Sequence, residues 1–128
     1  MKYLLDTHTF LWVAVAPEKL SAAALGAIET PDTELFLSAA SLWEIGILQS
    51  LDRIELTLSI REVADLAASE LGADLVGIEP QHVDRMSALP FHHRDPFDRM
   101  LIAQALDLHA AILSKDAAFD PYGVVRLW

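Results

Sequence analysis

The sequence predicts an α/β fold with a central parallel sheet of four to five short strands, flanked by helices on both faces. Two observations carry that expectation. The candidate strands are short, uninterrupted apolar runs without polar alternation, the pattern of strands buried on both faces. They also alternate with helical stretches along the whole chain, as a parallel sheet requires, because each crossover between parallel strands needs room for a helix. At 128 residues, with no internal repeat or low-complexity linker, the chain is expected to form a single domain over 1–128.

The first apolar run, at 2–5, reads as a buried strand ending on Asp6. Residues 7–15 follow as an apolar helix closed by Ala16 and Pro17, since proline denies a continuing helix its amide donor. Residues 21–29 are alanine-rich and helical, stopped by Thr30, Pro31 and Asp32. A second strand is expected at 35–38. From 41 to about 51, Leu42, Ile45, Leu48 and Gln49 recur at three-and-four spacing, which marks a helix.

The clearest amphipathic helix is 59–71. Ile60, Val63, Ala64, Ala67 and Leu71 line one face, Arg61, Glu62, Asp65 and Glu70 fall largely off it, and Gly72 stands where a C-cap belongs. A third strand is expected at 75–78, a weakly marked helix at 81–89 and a strong one at 96–108. The fourth strand falls at 111–114, and after a short turn a fifth at 124–127.

Hydrophobic residues make up 53% of the chain, which excludes a disordered segment. Cysteine is absent, which removes disulfides, zinc–thiolate sites and thiol nucleophiles together. The longest apolar run, 10–16, has seven residues, against the roughly 18 that a membrane span requires. No signal-peptide core precedes Asp6, so a soluble, cytoplasmic protein with no membrane partner is expected. Nine Lys and Arg against nineteen Asp and Glu leave a net charge of −10, so the whole-molecule field does not attract a polyanion. A nucleic-acid partner would have to be met by local basic residues or bound cations.

In an open parallel sheet, ligands bind at the carboxyl ends of the strands. Asp6 ends the first strand, and Asp116 lies two residues beyond the fourth, after Ser114 and Lys115. Glu44 is expected in the first turn of the helix at 41–51 and Asp98 in the first turn of the helix at 96–108. Crossover helices run antiparallel to the strands, so all four carboxylates map to one rim.

Structural duties compete for Glu44 and Asp98. Ser41 to Glu44 has the form of a capping box, as does Ser59 to Glu62, where nothing suggests chemistry. Asp95, Pro96, Phe97 and Asp98 make a good helix start, with Asp95 as N-cap and proline at the first position. Asp6, closing a buried strand, has little capping duty. Four clustered carboxylates repel, and some take up protons unless a cation neutralises them. Oxygen-only donors suit Mg²⁺ or Mn²⁺, either of which can hold a phosphate oxygen and lower the pKa of a water.

At these residues the sequence resembles the PIN-domain ribonucleases and, within them, the VapC toxins of type II toxin–antitoxin pairs. The matching stretches are LLDTHTFLW at 4–12, LSAASLWEIGI at 37–47, HRDPFDRMLIAQAL at 93–106 and ILSKDAAFDPYGV at 112–124. They come in the family's order and reach from one end of the chain to the other. The resemblance implies a PIN-like fold, Mg²⁺- or Mn²⁺-dependent endonucleolytic cleavage of RNA, a homodimer, and a VapB-type antitoxin that blocks the site. It puts the acidic quartet on Asp6, Glu44, Asp98 and Asp116. Asp6 and Asp98 would be the most direct metal ligands, with Glu44 and Asp116 completing the site or orienting the attacking water.

Asp95 then becomes an N-cap or a supporting acid. Thr7 and Ser114 are small hydroxyls beside the ligands, able to bind metal water or phosphate, or to cap a helix and a turn. Arg94, Arg99 and Lys115 are the basic residues nearest the rim, as phosphate contacts or as salt partners of the quartet. His92 and His93 read as a solvated turn or a supporting hydrogen bond, and Trp12 and Trp43 as core or dimer packing. Two alternatives stand beside this one. One is a receiver-like Mg²⁺-binding signalling domain, although the first strand offers a single acid where a receiver wants a pair. The other is a non-catalytic PIN-like module that binds RNA or a partner.

Overall fold

Burial on both sides of the sheet explains why the strands are apolar without alternation. The computed structural model describes all residues, 1–128. Its strands are β1 (Lys2–Leu5), β2 (Glu34–Ser38), β3 (Asp74–Val76), β4 (Ala111–Leu113) and β5 (Arg126–Leu127). All pair in parallel, in the order β3-β2-β1-β4-β5, so β1 lies at the centre with Tyr3 opposite Leu35 on one side and Ala111 on the other. A receiver's doubly wound sheet runs 2-1-3-4-5. The observed order therefore removes the receiver alternative.

Successive residues of a strand face opposite ways, and here each way leads to a separate core. Tyr3, Leu5, Leu35, Leu37 and Leu113 belong to one cluster; Leu4, Phe36 and Ile112 belong to the other. The first cluster is closed by α1 (Thr7–Val15), α2 (Ala22–Glu29), α3 (Ala39–Ser50) and α4 (Ile60–Leu71), through residues such as Phe10, Ala27, Ile45 and Val63. The second is closed by α6 (Pro96–Leu108) and a 3₁₀ segment at Ala117–Tyr122, through Leu101, Ile102, Phe119 and Tyr122. The short α5 (Pro80–Ala88) precedes α6, and a 3₁₀ turn at Pro17–Lys19 follows α1. Leu4, Leu5, Ile112 and Leu113 have no exposed surface, and each such side chain contributes about 1.5–3 kcal/mol by leaving water. No helix is long and apolar enough to cross a membrane.

Most element boundaries fall at or within a few residues of the expected ones, and α1 and α6 coincide with them. Three differences bear on the site or the sheet. The third strand is three residues long, with Leu75 exposed, because it lies at the sheet edge rather than in the interior. The fifth has two residues, not four. The helix expected from Ser41 begins at Ala39 instead: Ser38, the last residue of β2, is its N-cap, with its hydroxyl accepting from the Ala40 amide at 3.0 Å. Strand passes into helix with no loop between, and Glu44 moves from the first turn to the second.

Candidate functional site

The shift in α3 decides what Glu44 does. Its supposed cap, Ser41, is buried inside the helix, where its hydroxyl accepts from Thr7 Oγ1 at 2.9 Å. Glu44 therefore caps nothing, and its buried Oε1 has no hydrogen-bond partner. The control at Ser59 behaves otherwise. Glu62 N donates to Ser59 Oγ at 3.1 Å and Ser59 N donates back to Glu62 Oε1 at 3.5 Å, a complete capping box. Gly72 ends that helix in the left-handed region, at φ 64°.

Asp6 occupies the N-cap position of α1, but its side chain makes no cap bond. Instead Oδ2 accepts from Ser114 Oγ at 2.7 Å, and the same Ser114 hydroxyl accepts from the Asp116 amide at 3.0 Å. One buried serine at the end of β4 thus ties the acid that ends β1 to the loop that carries Asp116. Asp116 itself is exposed and caps the 3₁₀ segment, accepting from Ala118 N at 2.9 Å. On α6, Asp95 is the N-cap, accepting from the amides of Phe97 and Asp98. Asp98 is free of that duty and its Oδ2 meets His93 Nε2 at 2.7 Å.

Asp6, Glu44, Asp98 and Asp116 line one cavity of about 450 Å³ at the carboxyl end of the sheet. Asp95, His8 and His93 are also on its wall, together with one cation, Lys115, and one hydrophobic side chain, Trp12. The tightest grouping of donors inside it is His93, Asp98 and Asp116, which each offer one ligand atom with all three atoms within 4.8 Å of one another. Asp6 and Glu44 stand outside that set. Burial pushes the Asp6 carboxyl above its ordinary value, with the Asp116 charge adding to the rise and the Ser114 bond opposing it. Burial also raises Glu44, against an opposing hydrogen bond from Thr7, and the Asp95 and Asp6 charges add to the rise. Asp98 is raised to about 6, first by burial, then by the charges of Asp6 and Asp95 against the His93 hydrogen bond. Three acids held away from water and near one another form a site that a divalent cation relieves.

The supporting residues divide between the cavity wall and the buried layer behind it. Thr7 is buried and donates from its hydroxyl to Ser41, tying α1 to α3 beside Glu44. Ser114 is likewise buried and acts as the tie described above. Lys115 is exposed on the cavity wall; Arg94 is exposed but off it. Arg99 corrects its expectation outright. It is 3% exposed, its guanidinium donates to the carbonyls of Met86, Leu89, Pro90 and His93, and it lies 4.2 Å from the Phe91 ring centroid. One residue further along a helix is turned by about 100°, which takes Arg99 away from the cavity that Asp98 enters.

The tryptophans are not core residues. Trp43 is 62% exposed and packs edge-on against Phe97, with centroids 5.2 Å apart; Trp12 is half-buried on the cavity wall. His93 makes the supporting hydrogen bond that was one of its two expected roles, with Asp98 as the partner. Its loop is closed onto α6 by Arg99, and its amide donates to Tyr122 OH at 2.6 Å. The only local signal was its place five residues before Asp98.

Comparison with known proteins agrees with this architecture. The PIN domain family model matches residues 3–124. Ribonuclease VapC22 of Mycobacterium tuberculosis is 34% identical over 114 residues, covering 88% of this chain and 85% of that protein. Among solved structures, VapBC2 from Rickettsia felis, bound to a DNA fragment from their promoter, superposes with a TM-score of 0.69 at 12% identity, over 98% of this chain and 97% of that one. VapBC-1 from nontypeable Haemophilus influenzae gives 0.68 at 16% identity, over 98% and 96%. The parallel sheet, its flanking helices and these matches together make the chain a VapC-like member of the PIN-domain family.

Proposed function

We propose that this chain is a metal-dependent endoribonuclease, the toxin of a toxin–antitoxin pair. It hydrolyses RNA phosphodiester bonds at a four-carboxylate site formed by Asp6, Glu44, Asp98 and Asp116. The observation that carries this reading is the state of Glu44: a carboxylate with a buried, unpartnered oxygen, lining one cavity with three further acids. A buried charge without donors is costly, and an oxygen-coordinated cation is the partner that these side chains fit. Membership of the PIN family and the likeness to a named ribonuclease support the same activity.

In this reading the four acids hold Mg²⁺ or Mn²⁺, with Asp6 and Asp98 as its most direct ligands. When bound, the ion supplies charge stabilisation at the scissile phosphate and lowers the pKa of a water. Ser114 fixes the Asp6 carboxylate through Oδ2, and His93 fixes Asp98 through its Oδ2. Glu44 and Asp116 complete the site or orient the attacking water. Lys115, the only Lys or Arg on the cavity wall, contacts the phosphate. The protein works in the cytoplasm as a homodimer and is silenced by a VapB-type antitoxin.

The test is RNA cleavage by the chain and by Asp6→Asn, with Mg²⁺, with Mn²⁺ and with EDTA. Cleavage by the parent chain that disappears in the variant and in chelator is the expected result. Equal cleavage by both, or indifference to EDTA, overturns the site. RNA binding without cleavage under every condition would leave the non-catalytic alternative.

A further inference from the structure

Trp12 is the one hydrophobic side chain on the wall of the acidic cavity, and it lines a second cavity as well. That neighbour measures about 390 Å³ and is mostly apolar, with Leu11, Val15, Ile54 and Leu56 beside Trp12 and with Lys19 at its wall. His8 also lines both. The indole is braced rather than loose: Trp128 lies 5.6 Å away at a 56° tilt, His8 6.3 Å away at 53°, and the Lys19 ammonium 5.9 Å from the ring centroid. An aromatic ring thus divides a carboxylate site from a mostly apolar slot whose charged side chains are Lys19 and Glu55.

Electrostatics narrows what such a slot can take. The net charge is −10, and of the nine Lys and Arg, Arg99 is spent on backbone carbonyls and Arg126 is paired with Asp120 at 2.7 Å. Lys115 and Lys19 are the only Lys or Arg on the two cavity walls. A polyanion that binds here therefore gains little from phosphate contacts, which dominate where proteins hold nucleic acid by charge. Base stacking on aromatic side chains is the other large source of affinity for single strands, and it is indifferent to base identity.

Resting on the ribonuclease reading above, we propose that Trp12 and its slot form a nucleobase subsite. The unpaired base next to the scissile phosphate leaves its stack and packs on the Trp12 ring, while Lys19 meets the adjoining phosphate. This makes Trp12 a substrate-binding residue and makes an unpaired nucleotide beside the cut a requirement.

Binding is measured in the Asp6→Asn background with Mg²⁺, so that turnover does not intrude, using a single-stranded oligo(A) 12-mer and an abasic ribose-phosphate 12-mer of equal charge. Oligo(A) is expected to bind about 5- to 100-fold more tightly than the abasic strand. Adding Trp12→Leu should erase that difference without changing affinity for the abasic strand, and Trp12→Phe should keep most of it. Equal affinity of the Trp12 chain for the two strands overturns the proposal even if the leucine variant fails to fold. So does unchanged oligo(A) affinity in a folded Trp12→Leu, which would leave the slot to a peptide, and so does equal loss in the leucine and phenylalanine variants. Because no arm requires cutting, failure here is separable from failure of the cleavage assay with the unmodified chain.

Discussion

Glu44 and Glu62 stand in the same four-residue frame, Ser-x-x-Glu, on consecutive helices, yet their surroundings are opposite. Glu62 is exposed at the start of α4 and exchanges hydrogen bonds with Ser59. Glu44 lies in the second turn of α3, partly buried, with an oxygen that nothing satisfies. The Glu62 carboxylate is satisfied where it sits, away from the acidic cavity. A carboxylate kept from water without donors destabilises the fold where it sits and gains most from a bound cation. The same division recurs inside α6, where Asp95 caps the helix and Asp98, three residues on, bonds to an imidazole in the cavity. Asp116 combines both roles, capping the 3₁₀ segment while lining the cavity, so what separates the two glutamates is the unpartnered buried oxygen of Glu44.

The largest effect that sharpens this contrast is on turnover. Glu44→Gln should lower RNA cleavage by about a hundredfold or more, above the 10- to 100-fold that a supporting residue costs, while Glu62→Gln leaves the rate unchanged. Initial rates on one labelled RNA at fixed Mn²⁺ measure both. Comparable rates for Glu44→Gln and the parent chain would break the comparison at its centre.

The second effect is on stability against pH in the absence of metal. Asp98 binds its proton more tightly folded, at about 6, than its ordinary 3.8, so between those values the folded chain holds more proton than the unfolded one. Stability contributed by this group therefore falls as pH rises through that window and stays low above it. Measured by denaturant melts in EDTA, the parent should lose about 2 kcal/mol at most relative to Asp98→Asn between pH 4 and pH 6.5. Saturating Mn²⁺ should remove the difference in slope. A parent that gains on the variant over that range would mean that the site favours the ionised acid without a cation.

How much of this was readable in advance depended on whether the decisive contact was local. The two-faced burial of β1 was legible because Tyr3 and Leu5 fill one core while Leu4 fills the other, and an unbroken apolar run has no other use. The end of β1 on Asp6 and the start of α6 at Pro96 were legible because proline and the acids mark those ends in sequence. The start of α3 was not, since Ser41 and Glu44 imitate a capping box two residues into the helix, and the real cap at Ser38 is also the last residue of a strand. Arg99 was misjudged, and the partner of the supporting hydrogen bond expected of His93 was not named, for a different reason. Their roles come from the loop at 89–93 folding back onto α6 and onto Tyr122, a contact across 29 residues that no local pattern records.

Next in size is the tie between the two strand-end acids. Ser114→Ala frees Asp6 Oδ2 and the Asp116 amide together. Cleavage should drop about 10- to 100-fold, as for loss of a residue that orients a metal ligand, with weaker Mn²⁺ binding by isothermal titration. Full activity in this variant would show that the acids are placed by their own elements without the serine, and would move Asp6 toward the self-sufficient side of the contrast.

The smallest effect tests the satisfied member of the pair. Ser59→Ala removes the acceptor for Glu62 N and should destabilise the chain by about 1 kcal/mol. A change of that size lowers the melting temperature by about 4 °C in a domain of this length. Cleavage per folded molecule should not change, because α4 contributes no side chain to the acidic cavity. Thermal unfolding followed by circular dichroism, with rates taken well below the transition, separates the two readouts. A variant that melts normally but cleaves poorly would place Ser59 and its well-bonded acid in the chemistry, and an unpartnered oxygen would then no longer tell the two glutamates apart.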